Sequence, residues 1–133
     1  MKSAPKIGTV QEMSFLVETK HAIEFAGDGG MPAVLSTPNL IQFLERTARH
    51  ALLAFQEDTE RSVGTEIELR HLAATPVGKS VTCLARIIHV EGRNITFHLE
   101  ARDEQELIAR GSHRRHIVRI DRFAKHVGKK SGA

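Results

Sequence analysis

Among its 133 residues the chain has no tryptophan, no tyrosine and one cysteine. A single cysteine, Cys83, cannot close an internal disulfide, and such sparing use fits a cytoplasmic protein. With no Trp or Tyr, and six Phe mostly at core-like spacings, there is no platform on which single-stranded nucleic acid would stack. No run of 18 apolar residues occurs, which excludes a transmembrane helix. The first residues, MKSAPKIGTVQEMSF, lack the apolar centre of a signal peptide. Repeats and low-complexity segments are also missing. What is present, 41% hydrophobic and 26% charged residues, is ordinary for a folded protein. The length predicts one domain, 1–133, with 1–8 and 124–133 as loose ends.

Charge is unevenly spread. Residues 110–133 hold eight basic side chains against one acid, Asp121, for a net +7. The remainder, with eleven basic and fifteen acidic residues, is −4. Such an end is either a solvated tail or a surface for phosphate-bearing partners.

One helix is legible. In STPNLIQFLERTARHALLAF, Ser36 and Thr37 are good N-cap residues and Pro38 suits the first helical position. Ile41, Leu44, Ala48, Ala51, Leu52 and Phe55 then recur at spacings of three and four, giving an apolar stripe. Strand signals follow at regular intervals. In VGTEIELRHLAAT, Thr65, Ile67, Leu69 and His71 share one face, and Glu66, Glu68 and Arg70 the other. KSVTCLARIIHV is apolar on both parities, which predicts burial on both faces. ITFHLEAR turns Ile95, Phe97, Leu99 and Ala101 inward, and ELIARGSHRRHIVRI closes the series. TVQEMSFLVE reads as an N-terminal strand, with HAIEF as its continuation. Turns too short for crossovers make the sheet antiparallel. One amphipathic helix must pack on it, so an α+β domain with a sheet wrapped around a central helix is expected, its edge blunted by a second subunit.

Three residues break the polarity pattern. Glu45 lies on the ridge of Ile41, Ala48 and Leu52, where a carboxylate suits base or nucleophile work. The bland reading is an acid at the stripe edge, paired with Arg49. His71 shares parity with Ile67 and Leu69 and suits a general base, or a satisfied core histidine. Thr37 is explained by capping, or places a hydroxyl where a helix start favours developing negative charge. Thr37 and Glu45 lie about 12 Å apart along a helix axis, so they bracket a substrate or act across a subunit interface rather than touch. Metal and cofactor motifs are not seen. His113 and His116, three apart on a strand, point to opposite faces, and Gly27, Gly29 and Gly30 read as a mobile loop or lid. Cys83 shares parity with Val81 and Ala85 and reads as core.

The runs MPAVLSTPNLIQFLERTA, VGTEIELRHLAATPVG and VEGRNITFHLEARDEQELIARGSHRR resemble the fluoroacetyl-CoA thioesterase family of hot-dog proteins over residues 10–123. The resemblance implies a hot-dog fold, a homodimer with active sites at the interface (tetramers left open), and hydrolysis of an acyl-CoA thioester. The family's catalytic Thr, Glu and His fall on Thr37, Glu45 and His71. Its substrate-contacting Gly falls on Gly64, and its Arg after the G-[ST]-H run on Arg115, near CoA phosphates. Its lid phenylalanines match Asp28 and Met31. Met31 is therefore a substrate-contacting candidate, but an apolar lid that senses fluorine is not implied, and a short or medium acyl-CoA is the expected substrate. The rivals are a hot-dog enoyl-CoA hydratase or dehydratase, and a non-catalytic binder of acyl-CoA or nucleic acid.

Overall fold

The structure is a computed structural model that describes residues 1–132. In chain order it comprises β1 (Val10–Leu16), α1 (Thr37–Leu52), β2 (Glu60–His71), β3 (Ser80–Glu91), β4 (Asn94–Arg102), β5 (Leu107–Arg119) and α2 (Ile120–Lys130). Short 3-10 turns lie at Thr19–His21, Asp28–Gly30 and Leu53–Phe55. The five strands form one antiparallel sheet in the order β1-β3-β4-β5-β2. α1 lies across its inner face, so the sheet wraps one central helix, as expected from the sequence.

The helix buries Leu40, Phe43, Leu44, Thr47, Ala48, Ala51 and Leu52. This stripe is centred one position away from the predicted one. Ile41 is only half-buried, and Phe55 falls in the 3-10 turn after the helix. Thr47 meets the cost of burial by donating its hydroxyl to Phe43 O, one turn back (2.9 Å). The sheet contributes Val81, Cys83, Ala85, Ile87, Ile95, Phe97, Leu99, Ala101, Ile108, Ala109 and Ile117, all fully buried. Cys83 is a core residue, its thiol pushed up to about 12 mainly by burial.

Three register shifts interrupt the ladders, one leaving Ile108 of β5 as an extra residue opposite β4, and those on β2 and β3 set the side-chain directions that matter here. On β2, Gly64 pairs Arg115 and Glu66 pairs Arg114, which leaves Thr65 as an extra residue. Its hydroxyl donates to Arg114 O (3.1 Å). The alternation therefore changes parity there. Ser62 and Gly64 face α1 before the bulge, and Ile67, Leu69 and His71 face it afterwards; Thr65, the extra residue, stands outside the regular alternation. On β3 the extra residue is Ile88, 46% exposed. That bulge explains the apolar residues on both parities: β3 is buried on one face only, and its outer residues Thr82, Arg86 and Ile88 meet solvent.

Other departures lie at the ends. HAIEF does not extend β1; the chain leaves the sheet at Leu16 and turns at Thr19–His21. The first residues are docked rather than loose: Pro5 is buried, and Lys2 N donates to Phe55 O (2.9 Å). Residues 120–130 form α2, which buries none of its own residues.

The packing yields a contrast. Leu44→Ala should cost about 2–5 kcal/mol by leaving a cavity under the helix. Leu53→Ala, at a half-exposed position, should fall within about 0.5 kcal/mol of wild type. Urea denaturation of the two variants checks this; equal losses would contradict the assigned core.

Candidate active site

Thr37 reaches its place through the segment before the helix. Leu35 N donates to Thr75 O (2.8 Å) and Val77 N to Ala33 O (3.0 Å), tying residues 33–35 to the loop after β2. Ser36, not Thr37, is the N-cap: its hydroxyl accepts from Asn39 N (3.3 Å) and Asn39 Nδ2 (2.7 Å). Thr37 is thus the first helical residue, Pro38 the second, and the Thr37 hydroxyl has no capping duty. It lies 2.8 Å from His71 Nδ1. The capping explanation of Thr37 therefore gives way to a direct Thr–His contact.

His71 is half-buried, and its Nε2 is a buried atom with no well-formed hydrogen bond among the described residues. Burial pushes the imidazole below its usual value, opposed in part by the Ala73 backbone. With Nδ1 occupied by Thr37, the chemistry of the ring is available at Nε2.

Glu45 sits elsewhere. It lies on the flank of α1 with its side chain 41% exposed, and its Oε2 accepts from Arg115 Nη1 (3.3 Å). It is not paired with Arg49, and neither Thr37 nor His71 is among its hydrogen-bond partners. Beside it runs β2 at Gly64, where an added Cβ would collide with Glu45 Oε2. Gly64 is not in the left-handed region, so the glycine serves close approach rather than backbone freedom. A cavity of about 250 Å³ opens here, bounded by Ile41, Glu45, Gly64, Thr65, Ile67 and His113. A larger one of about 400 Å³ lies among Arg70, His98, Arg110 and Ser112 and includes none of the expected site residues.

Arg115 departs from expectation. Its guanidinium is only 6% exposed and is turned inward beside Glu45, where a surface position had been expected. Nε donates to Ser62 Oγ (2.8 Å) and Nη2 to Ser62 O (2.8 Å). Nη1 also contacts His113 Nε2 (3.1 Å). Since arginine only donates, His113 Nε2 accepts, and its Nδ1–H donates to Glu66 O (2.8 Å). Burial is the main cause holding His113 below the usual imidazole range, and also the main one lowering Arg115. Ser62 is not marked by the sequence, and His113 enters there only as half of a poor metal-ligand pair; the parity it shares with Ile117 and Ala109 is the signal that marks it as inward.

Met31 is exposed at the end of the Asp28–Gly30 turn, as is Asp28, and Phe25 of the same loop is 52% exposed. His113 is buried while His116 meets Asn94 Oδ1 (2.9 Å) near the surface, on the opposite face. Among the described residues no group of three His, Cys, Asp or Glu is arranged to hold a metal ion, and no helix is long and apolar enough to cross a membrane.

A five-stranded antiparallel sheet around one helix, with polar groups where the helix flank meets an edge strand, is the hot-dog architecture of thioesterases. A model of the fluoroacetyl-CoA-specific thioesterase family, FlK, matches residues 17–121, and the chain belongs to that family. The fluoroacetyl-CoA thioesterase of Streptantibioticus cattleyicolor is 33% identical over 102 residues, 77% of this chain and 73% of that protein. A crystal structure of a point mutant of the fluoroacetyl-CoA-specific thioesterase FlK matches with a TM-score of 0.88 at 29% identity, covering 97% of this chain and 99% of its own. A Thermus thermophilus member of the thioesterase superfamily, at 24% identity, matches in fold with a TM-score of 0.89 over 99% of this chain and 96% of its own.

Two outcomes follow from the geometry. Gly64→Ala should fold but displace the Glu45 carboxylate, lowering turnover by about 10-fold or more; a crystal structure with Glu45 unmoved and activity intact would contradict this. His71 and His113 bind protons less readily folded than unfolded. Their contribution is therefore complete above the usual imidazole value of 6.5 and is lost as pH falls below it. Thermal melts should show a lower Tm at about pH 5.5 than at about pH 7.5, with a smaller difference in His113→Asn. A Tm unchanged or raised at the lower pH would contradict the assignment.

Proposed function

We propose that this chain is a cytoplasmic acyl-CoA thioester hydrolase acting on a short or medium acyl group, with Thr37, Glu45 and His71 as its catalytic residues. The observation that carries the reading is the Thr37–His71 contact with His71 Nε2 left unpartnered. A buried polar atom without a partner costs about 1–3 kcal/mol, and a site that meets its partner only in the reacting complex explains why that cost persists. Glu45 supplies the carboxylate. It attacks the thioester carbonyl, forming a mixed anhydride as the CoA thiolate leaves, or it takes a proton from the attacking water with His71 Nε2. The start of α1 at Thr37 and the Gly64 N–H are the donors for the developing oxyanion. Hydrolysis in ¹⁸O-water under single turnover is diagnostic when label enters Glu45, which requires an anhydride opened by water at the Glu45 carbonyl.

The protein works as a homodimer. Glu45 lies against Gly64 and Thr37 against His71, and the two half-sites are roughly 12 Å apart along the helix and 20 Å along β2. β2 is an uncovered edge of twelve residues, which invites pairing with another strand. Antiparallel pairing of two copies, centred on Glu68 and passing over Thr65 as the extra residue of its bulge, sets His71 opposite Gly64 of the partner subunit. The same register sets Ile67 opposite Leu69 of the partner subunit, and Arg70 opposite the partner's Glu66, with only the two Glu68 side chains unfavourably opposed. The half-sites then meet across the interface.

Free-thiol release from acyl-CoAs of increasing length tests the reaction, and Glu45→Gln and His71→Ala homodimers should each be nearly inactive. Mixing the two variants under reassorting conditions tests the architecture. Composite sites restore roughly a quarter of wild-type activity, because half of the dimers are mixed and each carries one intact site. No recovery would overturn the shared site, and full activity in either variant would overturn its residue.

A further inference from the structure

The Glu45 carboxylate is the reactive group of the proposed function, yet it stands on a solvent-facing flank where a free glutamate side chain samples many rotamers. One oxygen is claimed: Arg115 Nη1 donates to Oε2, and Gly64, by lacking a Cβ, leaves room for that oxygen. The guanidinium is itself immobile. Three further hydrogen bonds, two to Ser62 and one to His113, fix its plane, and His113 is fixed in turn by Glu66 O. All three residues are at least nine-tenths buried. Charged and polar groups held this deeply are expensive unless each is paired, and here the pairing ends at one atom of Glu45.

We infer that Ser62, His113 and Arg115 form a positioning relay that holds Glu45 Oε2 and presents Oε1 to the thioester carbonyl. This assigns Arg115 to orientation of the carboxylate rather than to the CoA phosphates, and it rests on the reading of Glu45 as catalytic. The relay touches neither Thr37 nor His71, so its loss misaims the carboxylate without removing it. The effect falls on kcat more than on KM.

Steady-state kinetics on purified, folded dimer provides the test. Arg115→Met should lower kcat by about 10- to 100-fold with KM changed less than about 3-fold. Arg115→Lys should recover little, because an ammonium cannot make the planar fork to Ser62. A cavity of about 220 Å³ bounded by Gln42, Glu45, Arg46, Arg49 and Arg115 opens beside the guanidinium. Ethylguanidinium added to an Arg115→Ala variant should therefore restore turnover by about 5-fold or more over the unsupplemented variant, a readout that a merely structural role does not give. At the next position, His113→Gln carries its amide near Nε2 and keeps the acceptor for Arg115, whereas His113→Asn keeps only the bond to Glu66; Gln should be the more active of the two.

Unchanged kcat in Arg115→Met, or a rise in KM alone, overturns the relay. So does the absence of rescue by ethylguanidinium in folded Arg115→Ala, and so does equal activity of the two His113 variants. Glu45→Gln is assayed alongside. If it retains turnover, the reading of Glu45 has failed; if it is inactive while Arg115→Met is normal, only the relay has failed.

Discussion

A β-strand shows its side chains alternately to two faces, and β2 must show Gly64 and His71, seven residues apart, to the same one. Without an irregularity they would point to opposite faces. Thr65 resolves this as a bulge that adds a residue to β2 but not to β5. Before it, Gly64 admits the Glu45 carboxylate; after it, Ile67 and Leu69 lean on the core and His71 reaches Thr37. The Thr65 hydroxyl, bonded to Arg114 O, holds the distortion in place. Every candidate site residue on β2 depends on that parity change, because a one-residue slip would turn the whole strand over.

The second constraint is electrostatic. The inner face of the sheet is apolar under the middle of α1, but polar at the end near β2, where Ser62, His113 and Arg115 are buried. A low-dielectric interior tolerates such groups when they are paired, and every side-chain nitrogen and oxygen of these three has a partner among one another, Glu45 and the Glu66 backbone. His71 is the contrast: one ring nitrogen is engaged and the other is not. The paired cluster suits a scaffold that stays fixed through a reaction, and the unpaired nitrogen suits the place where the reaction happens.

Much of the fold was legible because its signals are local. The spacing of apolar residues gave α1, and short turns gave the antiparallel order. The polarity breaks at Thr37, Glu45 and His71 stood out against simple periodicities. What was not legible depends on distant partners. Arg115 reads as one more base in a charged run until Ser62 and Glu45, 53 and 70 residues away in sequence, are seen around it. Neither the β2 nor the β3 bulge has a local marker, so simple alternation does not reveal the parity change at Thr65 and makes β3 look buried on both faces. Ser36 and Thr37 are both competent caps, and only the backbone decides that Ser36 caps and frees Thr37. In α2, Ile120, Phe123 and Val127 recur at helical spacing, but the surrounding basic residues masked the pattern as a tail.

In the proposed dimer, Thr37 and His71 of one copy face Glu45 and Gly64 of another across paired β2 strands, with a thioester carbonyl between them. A crystal structure of the protein with a non-hydrolysable acyl-CoA analogue, its sulfur replaced by methylene, tests it most directly. The account predicts that the acyl carbonyl carbon lies within about 4 Å of Glu45 Oε1 from one chain, with its oxygen toward Gly64 N–H and the His71–Thr37 pair of the other chain alongside. A carbonyl bound far from Glu45, or a site assembled from a single chain, would contradict it.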